Sequence, residues 1–163
     1  MKLSFRIKHH FFSAFRELFV HHHGSLEFRA KIFALVIAAN EDAKVENYIV
    51  VKKVAMQIYK DNRDRADLLM LSTKELVDKV KENNGLNIDT LVAHIQKELK
   101  MVPRYAQKID IASLKPLIDI SHDRDTVSYQ ENILIFLANL KKETLNNKKF
   151  QIEKSEQNLK SKY

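Results

Sequence analysis

Two short stretches of the chain hold the side chains best suited to chemistry. Glu41, Asp42 and Glu46 fall within Ala38-Ala-Asn-Glu-Asp-Ala-Lys-Val-Glu-Asn47. Asp123, Asp125 and Glu131 fall within Ile120-Ser-His-Asp-Arg-Asp-Thr-Val-Ser-Tyr-Gln-Glu131. Carboxylates gathered in a short turn suit a hard divalent cation such as Ca²⁺, Mg²⁺ or Mn²⁺, which takes several oxygens from a flexible loop. Asp123 and Asp125 alternate as at the start of an EF-hand loop. The sixth loop position is Ser128 where a Gly is required, and the twelfth is Leu134, which cannot ligate, so an EF-hand is excluded. The same acids have a second use. Ser128-Tyr-Gln-Glu131 reads as a capping box, with Ser128 at the N-cap and Glu131 three residues on. Acids ahead of a helix also favour its positive end, by about 0.3–1 kcal/mol each.

Other chemistries find little to work with. There is no Cys, which removes disulfides, thiolate zinc sites and cysteine nucleophiles. No phosphate-cradling Gly loop, His-Glu-x-x-His or nucleophile elbow occurs, so the expectation is a non-enzymatic protein. His94 and His122 stand alone. His21-His-His23 are sequence neighbours that do not share one helical face.

The elements that must position these residues read as helices. With 163 residues the chain suits one domain, and two Gly and two Pro are too few for a sandwich or barrel. The fold class expected is all-α, with about seven helices packed as a bundle. Residues 3–20 show an amphipathic pattern in which Phe5, Phe11, Phe12, Phe15 and Phe19 share a face; that face could dock on the core or meet a membrane or partner. Residues 26–39 are apolar nearly all round, which predicts deep burial. Helices follow over 45–60 and 64–82, stopped by Asn83-Asn-Gly85, and then a helix capped by Asn87 or Asp89. A helix over 104–121 should be kinked or divided by Pro116. The last is 128–142, ahead of a polar tail, 144–163, read as frayed or disordered. The domain organisation is therefore a basic amphipathic segment and linker (1–25), a helical domain (26–143) and a basic tail (144–163).

The second half slides onto the first. At an offset of 81, Val36 meets Leu117 and Asp42 meets Asp123; at 82, Val45 meets Val127 and Ile58 meets Leu140. The chain thus reads as pseudo-duplicated helix–acidic turn–helix units. Its net charge of +7 is uneven. Residues 1–20 carry four Lys/Arg against one Glu and residues 141–163 seven Lys against three Glu, which leaves the middle neutral. Basic ends suit an acidic partner such as an anionic membrane surface or a nucleic acid; the neutral middle lacks the basic stripe that nucleic-acid binding wants on the folded core, which leaves the Lys-rich tail to bind phosphate non-specifically. No apolar run reaches a membrane span and no secretory signal is read, since Arg6, Lys8, Arg16 and Glu17 interrupt the first stretch. The expectation is a cytoplasmic protein, peripheral to the inner face of the membrane.

Over roughly residues 26–143, the two turns resemble the tellurite-resistance TerB-like family, a domain also found ahead of J-domains in some co-chaperones. Asp42 and Val45 match the family's turn in the first copy; Asp123 or Asp125, Val127, Ser128 and Glu131 match in the second. The family's turn Gly is Ala43 in the first copy and missing from the second, and Ile49 stands where a Glu is expected. The resemblance implies an all-helical fold with internal pseudo-symmetry and a cluster of acids binding a divalent metal. It also implies a role with other proteins in membrane-linked stress complexes. Asp123, Asp125 and Glu131 are then the stronger ligand set, with Glu41, Asp42 and Glu46 as helpers. The other readings are an interaction scaffold without metal, and a co-chaperone-type module; the J-domain tripeptide His-Pro-Asp is absent, since the prolines follow Val102 and Lys115.

Overall fold

The structure, a computed structural model, describes residues 24–162. The segment 3–20, its phenylalanines Phe5, Phe11, Phe12, Phe15 and Phe19, and His21–His23 lie outside the described residues. Within them the chain forms six α-helices and one 3₁₀ helix: α1 (Gly24–Ala38), α2 (Val45–Ile58), α3 (Arg63–Lys81), α4 (Ile88–Met101), the 3₁₀ helix (Pro103–Lys108), α5 (Ile111–Asp119) and α6 (Arg124–Lys160). No strand is present among them, and the chain is an all-α bundle as its composition predicts.

The bundle is built around α1. Leu26, Phe28, Ala30 and the run Ile32 to Ile37 are all buried, and beyond the first turn only Arg29, Lys31 and Ala38 are partly exposed. It packs most extensively on α3 and also touches α4, the 3₁₀ helix, α5 and α6. Phe28 stacks on Tyr105 of the 3₁₀ helix with ring centroids 5.2 Å apart. At the start of α1 the chain runs so close to the same tyrosine that a Cβ on Gly24 would lie 2.5 Å from its hydroxyl. Lys31 ties α1 to α4 through Glu98 at 2.8 Å, and Lys52 ties α2 to α3 through Asp67 at 2.7 Å.

Local signals in the sequence set several helix ends. Asn62 caps α3 by accepting from the Arg65 amide, and Asn87 caps α4 by accepting from the Thr90 amide. Asn83 and Gly85 take positive φ (50° and 75°) in the turn after α3.

Three expectations change. The division expected at Pro116 falls upstream, at Ile109–Asp110. There Asp110 caps α5 through the Ala112 amide and binds the Ser113 hydroxyl at 2.6 Å, while Pro116 sits inside α5 without ending it. The polar stretch after 143 is helical as far as Lys160: α6 is continuous from Arg124 to Lys160 and runs past the expected boundary near 143. It holds good helix formers and no Gly or Pro, so nothing stops it. The third change concerns the duplicated hairpins. The helices of the first unit, α1 and α2, share little direct contact and are joined through α3, whereas α5 and α6 pack on each other.

Candidate functional site

The second acidic turn is built from its buried side outward. Gln130 lies on the core side of α6, a turn ahead of buried Ile133, Leu134 and Leu137, and is itself fully buried. Its side-chain amide nitrogen, Nε2, donates to the Val36 carbonyl at 3.0 Å, and its Oε1 accepts from the Ser121 hydroxyl at 2.8 Å. Val36 is in the last turn of α1, where carbonyls lose their helical partners, so Gln130 supplies from another helix the hydrogen bond that α1 cannot make. Ser121 also lies 3.4 Å from the Leu117 carbonyl near the end of α5. One turn therefore joins the ends of α1, α5 and α6.

The outer side of this turn is a cap. Asp123, rather than Ser128, is the N-cap of α6; its Oδ2 accepts from the Thr126 amide at 2.8 Å and the Thr126 hydroxyl at 3.0 Å. These two bonds stabilise the charged carboxylate and hold Asp123 below the usual carboxylate range. Ser128 lies inside the helix and is exposed, so the capping box at Ser128–Glu131 does not form. Asp123 combines a short acceptor side chain with an extended backbone, φ −87° and ψ 130°, as an N-cap requires. Asp125 and Glu131 are exposed on the first turns of α6, and His122 is exposed beside Asp123.

The first acidic turn uses different atoms. Here the Asn40 side chain accepts from the Asp42 amide at 3.0 Å, and Lys81 at the end of α3 reaches the Glu41 carbonyl at 3.4 Å. The N-cap of α2 is Lys44, which makes no side-chain cap. Asn47, 4% exposed, turns its Nδ2 back to the Lys44 carbonyl at 3.3 Å, and its Oδ1 has no hydrogen-bond partner. Glu41, Asp42 and Glu46 are all exposed, as are Val45 and Ile49 beside them. One residue further in, burial raises the Tyr48 hydroxyl to about 12, with the charge of Asp78 adding to the effect.

A hard cation needs several oxygens converging on one point. Among the described residues no three His, Asp or Glu side chains come together in such a group. Asp123, the strongest candidate by sequence, already uses Oδ2 to hold Thr126. Of the six candidate carboxylates Asp123 alone caps a helix, and the other five are exposed.

A different feature emerges at the far end of α6. Lys141 Nζ donates to the Ile109 carbonyl at 2.8 Å and Leu145 still packs against the core; from residue 149 onward every described residue is exposed. Between this projecting arm and the last turns of α4 runs an open groove of about 490 Å³, lined by Gln96, Lys100, Thr144, Asn147, Lys148 and Gln151 among others. Glu143 is the single carboxylate in its lining, beside Lys100 and Lys148, and no histidine is there. The arm presents Phe150, Ile152 and Leu159 to solvent, at 66%, 50% and 60% exposure.

No protein-family model, curated protein or solved structure matches this chain.

Reasoning from sequence missed Gln130, Ser121 and Lys81. Gln130 did carry a signal: it is a polar residue on the apolar face that Ile133, Leu134 and Leu137 define, and a buried amide requires partners. The carbonyls that Lys81 and Lys141 reach are backbone atoms distant in sequence, and no residue pattern announces them. No described helix is long and apolar enough to cross a membrane.

Proposed function

We propose that the chain is a non-enzymatic helical adaptor of the TerB-like kind, which joins partner proteins in a membrane-linked stress complex. The observation that carries this reading is the projecting half of α6. A helix that served only the core would stop where the core stops. This one continues to Lys160 with its apolar and basic side chains uncovered. The acids of the two turns belong, in this reading, to helix ends and not to a resident metal.

A photo-crosslinking residue placed at Gln157 of the full chain tests this in cells. Gln157 is exposed on the arm; Asn84, exposed in the turn after α3, serves as the control position. The expected result is a discrete protein adduct from position 157 and none from position 84. Absence of any adduct from position 157, or the same adducts from both positions, sinks the adaptor reading.

A further inference from the structure

The groove between the last turns of α4 and the arm of α6 is polar along both walls and apolar along its floor. We propose that it is a docking site for an extended acidic peptide segment of a partner protein, with Gln96, Asn147 and Gln151 pairing with its main chain and Lys100 and Lys148 with its carboxylates. The site rests on the adaptor reading for what the contact is used for.

Size and walls set the shape of the occupant. The volume of about 490 Å³ lies within the range of about 300–1,000 Å³ in which binding clefts fall. One wall is the end of α4, where Gln96 and Lys100 are one helical turn apart. The other is α6, where Asn147 and Gln151 are one turn apart with Lys148 between them in sequence. Leu99, Pro103 and Leu140 complete the lining; Leu99 is buried and the other two are half-buried. A narrow apolar floor between two polar walls suits a single stretch of chain.

The two lysines give the partner its sign. They stand on opposite walls, and among the described residues neither has a carboxylate partner; the ion pairs go to Lys31, Lys52, Lys74 and Lys79 instead. Glu143 is the one carboxylate in the lining, so the groove keeps a positive balance. A cleft of one sign with low-dielectric walls concentrates its field on the opposite charge. The basic segments of the chain itself carry the wrong sign for it. Residues 1–20 hold four Lys/Arg against one Glu, and residues 149–162 four Lys against two Glu.

The amides give the partner its conformation. Among the described residues the side chains of Gln96, Asn147 and Gln151 have no hydrogen-bond partner. A side-chain amide offers both donors and an acceptor, the same two functions that a peptide unit carries. Asn147 and Gln151 are separated by about 6 Å along α6. Two residues of an extended chain rise by about 6.6 Å. The two amides therefore keep step with every second residue of an extended peptide, whose main-chain groups need partners. A helix satisfies its main chain internally and would leave the amides idle. Successive side chains of an extended chain point to opposite sides, so two neighbouring acids reach the lysines of the two walls.

Selection of random nine-residue peptides, displayed on phage, against the immobilised full chain is the test. A groove variant, Lys100→Glu with Asn147→Ala, Lys148→Glu and Gln151→Ala, serves for counterselection and removes binders of other surfaces. Peptides with neighbouring acidic residues are expected to be enriched. A synthetic copy of the most enriched sequence is then measured by fluorescence anisotropy. Lys100→Glu with Lys148→Glu is expected to weaken its binding roughly tenfold or more, and raised salt to weaken the parent's binding. Asn147→Ala with Gln151→Ala is expected to weaken it roughly tenfold, through loss of the main-chain bonds. Circular dichroism checks that each variant keeps its helix.

Three results overturn the proposal: no enrichment above the groove variant, enriched peptides that are basic or uncharged, or an Asn147/Gln151 variant that binds as the parent does. Acids recurring at three and four residues would mark a helical occupant, and the extended assignment falls. Sedimentation velocity of the full chain is run alongside. If the parent self-associates and the groove variant does not, the groove belongs to a second copy and the partner assignment falls. Gln157 lies outside the groove lining, so its crosslinking is read separately. Loss of peptide binding with the protein adduct retained removes this inference and leaves the adaptor standing. Loss of the adduct with peptide binding retained does the reverse.

Discussion

The two acidic turns have similar composition and opposite architecture. In the second, one carboxylate caps a helix and a buried glutamine ties three helix ends together. In the first, the acids are exposed, the cap position is a lysine, and the turn is held by an asparagine and by backbone contacts. The sequence alignment of the two units conceals this. It pairs Val45 with Val127, yet Val45 is the first residue of α2 while Val127 is the fourth of α6. A shift of three residues is close to one helical turn, so the apolar pattern still matches although the helix starts do not. Matching composition and period therefore identify a shared helical pattern, not a shared role for the acids.

The sharpest way to break this contrast is to remove the buried tie. Gln130→Met keeps the volume but leaves the Val36 carbonyl without its partner and Ser121 with only the Leu117 carbonyl at 3.4 Å. It should lower the unfolding free energy by about 1–3 kcal/mol, read from urea denaturation. A change near zero would mean that water or a small shift of α6 satisfies both groups, and the second turn would lose its distinction from the first.

The cap comes next. Asp123→Ala should lower the melting temperature by a few degrees at neutral pH, since Thr126 loses both of its bonds to the carboxylate. The sign of the pH effect follows from the lowered carboxyl. A folded-state value below the unfolded one, near 3.9, means the stabilisation is present above that pH and is lost as pH falls through the folded value. Parent and variant melts should therefore converge in acid. A constant gap down to the lowest pH would show that the effect is not the carboxylate's charge.

Much of the fold could be read from the residues, and the reasons are local. The apolar run through α1 announced its burial; Asn62, Asn87 and Asn83-Asn-Gly85 announced three helix boundaries. The errors arose where two local signals compete or where the partner is remote. Ser128-Tyr-Gln-Glu131 fits a capping box, but Asp123 is reached first and its extended backbone suits a cap better. Pro116 is a strong breaker, yet Asp110 ends the preceding segment before it. The polarity of 144–163 leaves a frayed helix and disorder both open, and the absence of any Gly or Pro is what carries α6 on to Lys160. Of the candidate site, the positions of the acids were legible, but their work was not. That work depends on which backbone amide each carboxylate faces.

A transplant sharpens the comparison from the other side. Lys44 already holds the extended backbone of an N-cap, φ −117° and ψ 179°, without an acceptor side chain. Lys44→Asn should give α2 the side-chain cap it lacks and stabilise the protein by about 0.5–1 kcal/mol in urea melts. No gain would show that the turn, held by Asn40 and Lys81, cannot turn the new side chain onto the amides of α2.

The smallest effect is expected from the acids that do least. Glu41→Gln, Asp42→Asn and Glu46→Gln combined should change stability by no more than about 0.5 kcal/mol, because none of the three carboxylates caps a helix. The same triple variant addresses the cation. Calorimetric titration with Ca²⁺, Mg²⁺ and Mn²⁺ should give no saturable heat for either the parent or the variant. If the parent gives a saturable heat that the variant loses, the first turn is a metal site after all. Its idle carboxylates would then be ligands waiting for a cation, and the two turns would differ in function as well as in how they are held.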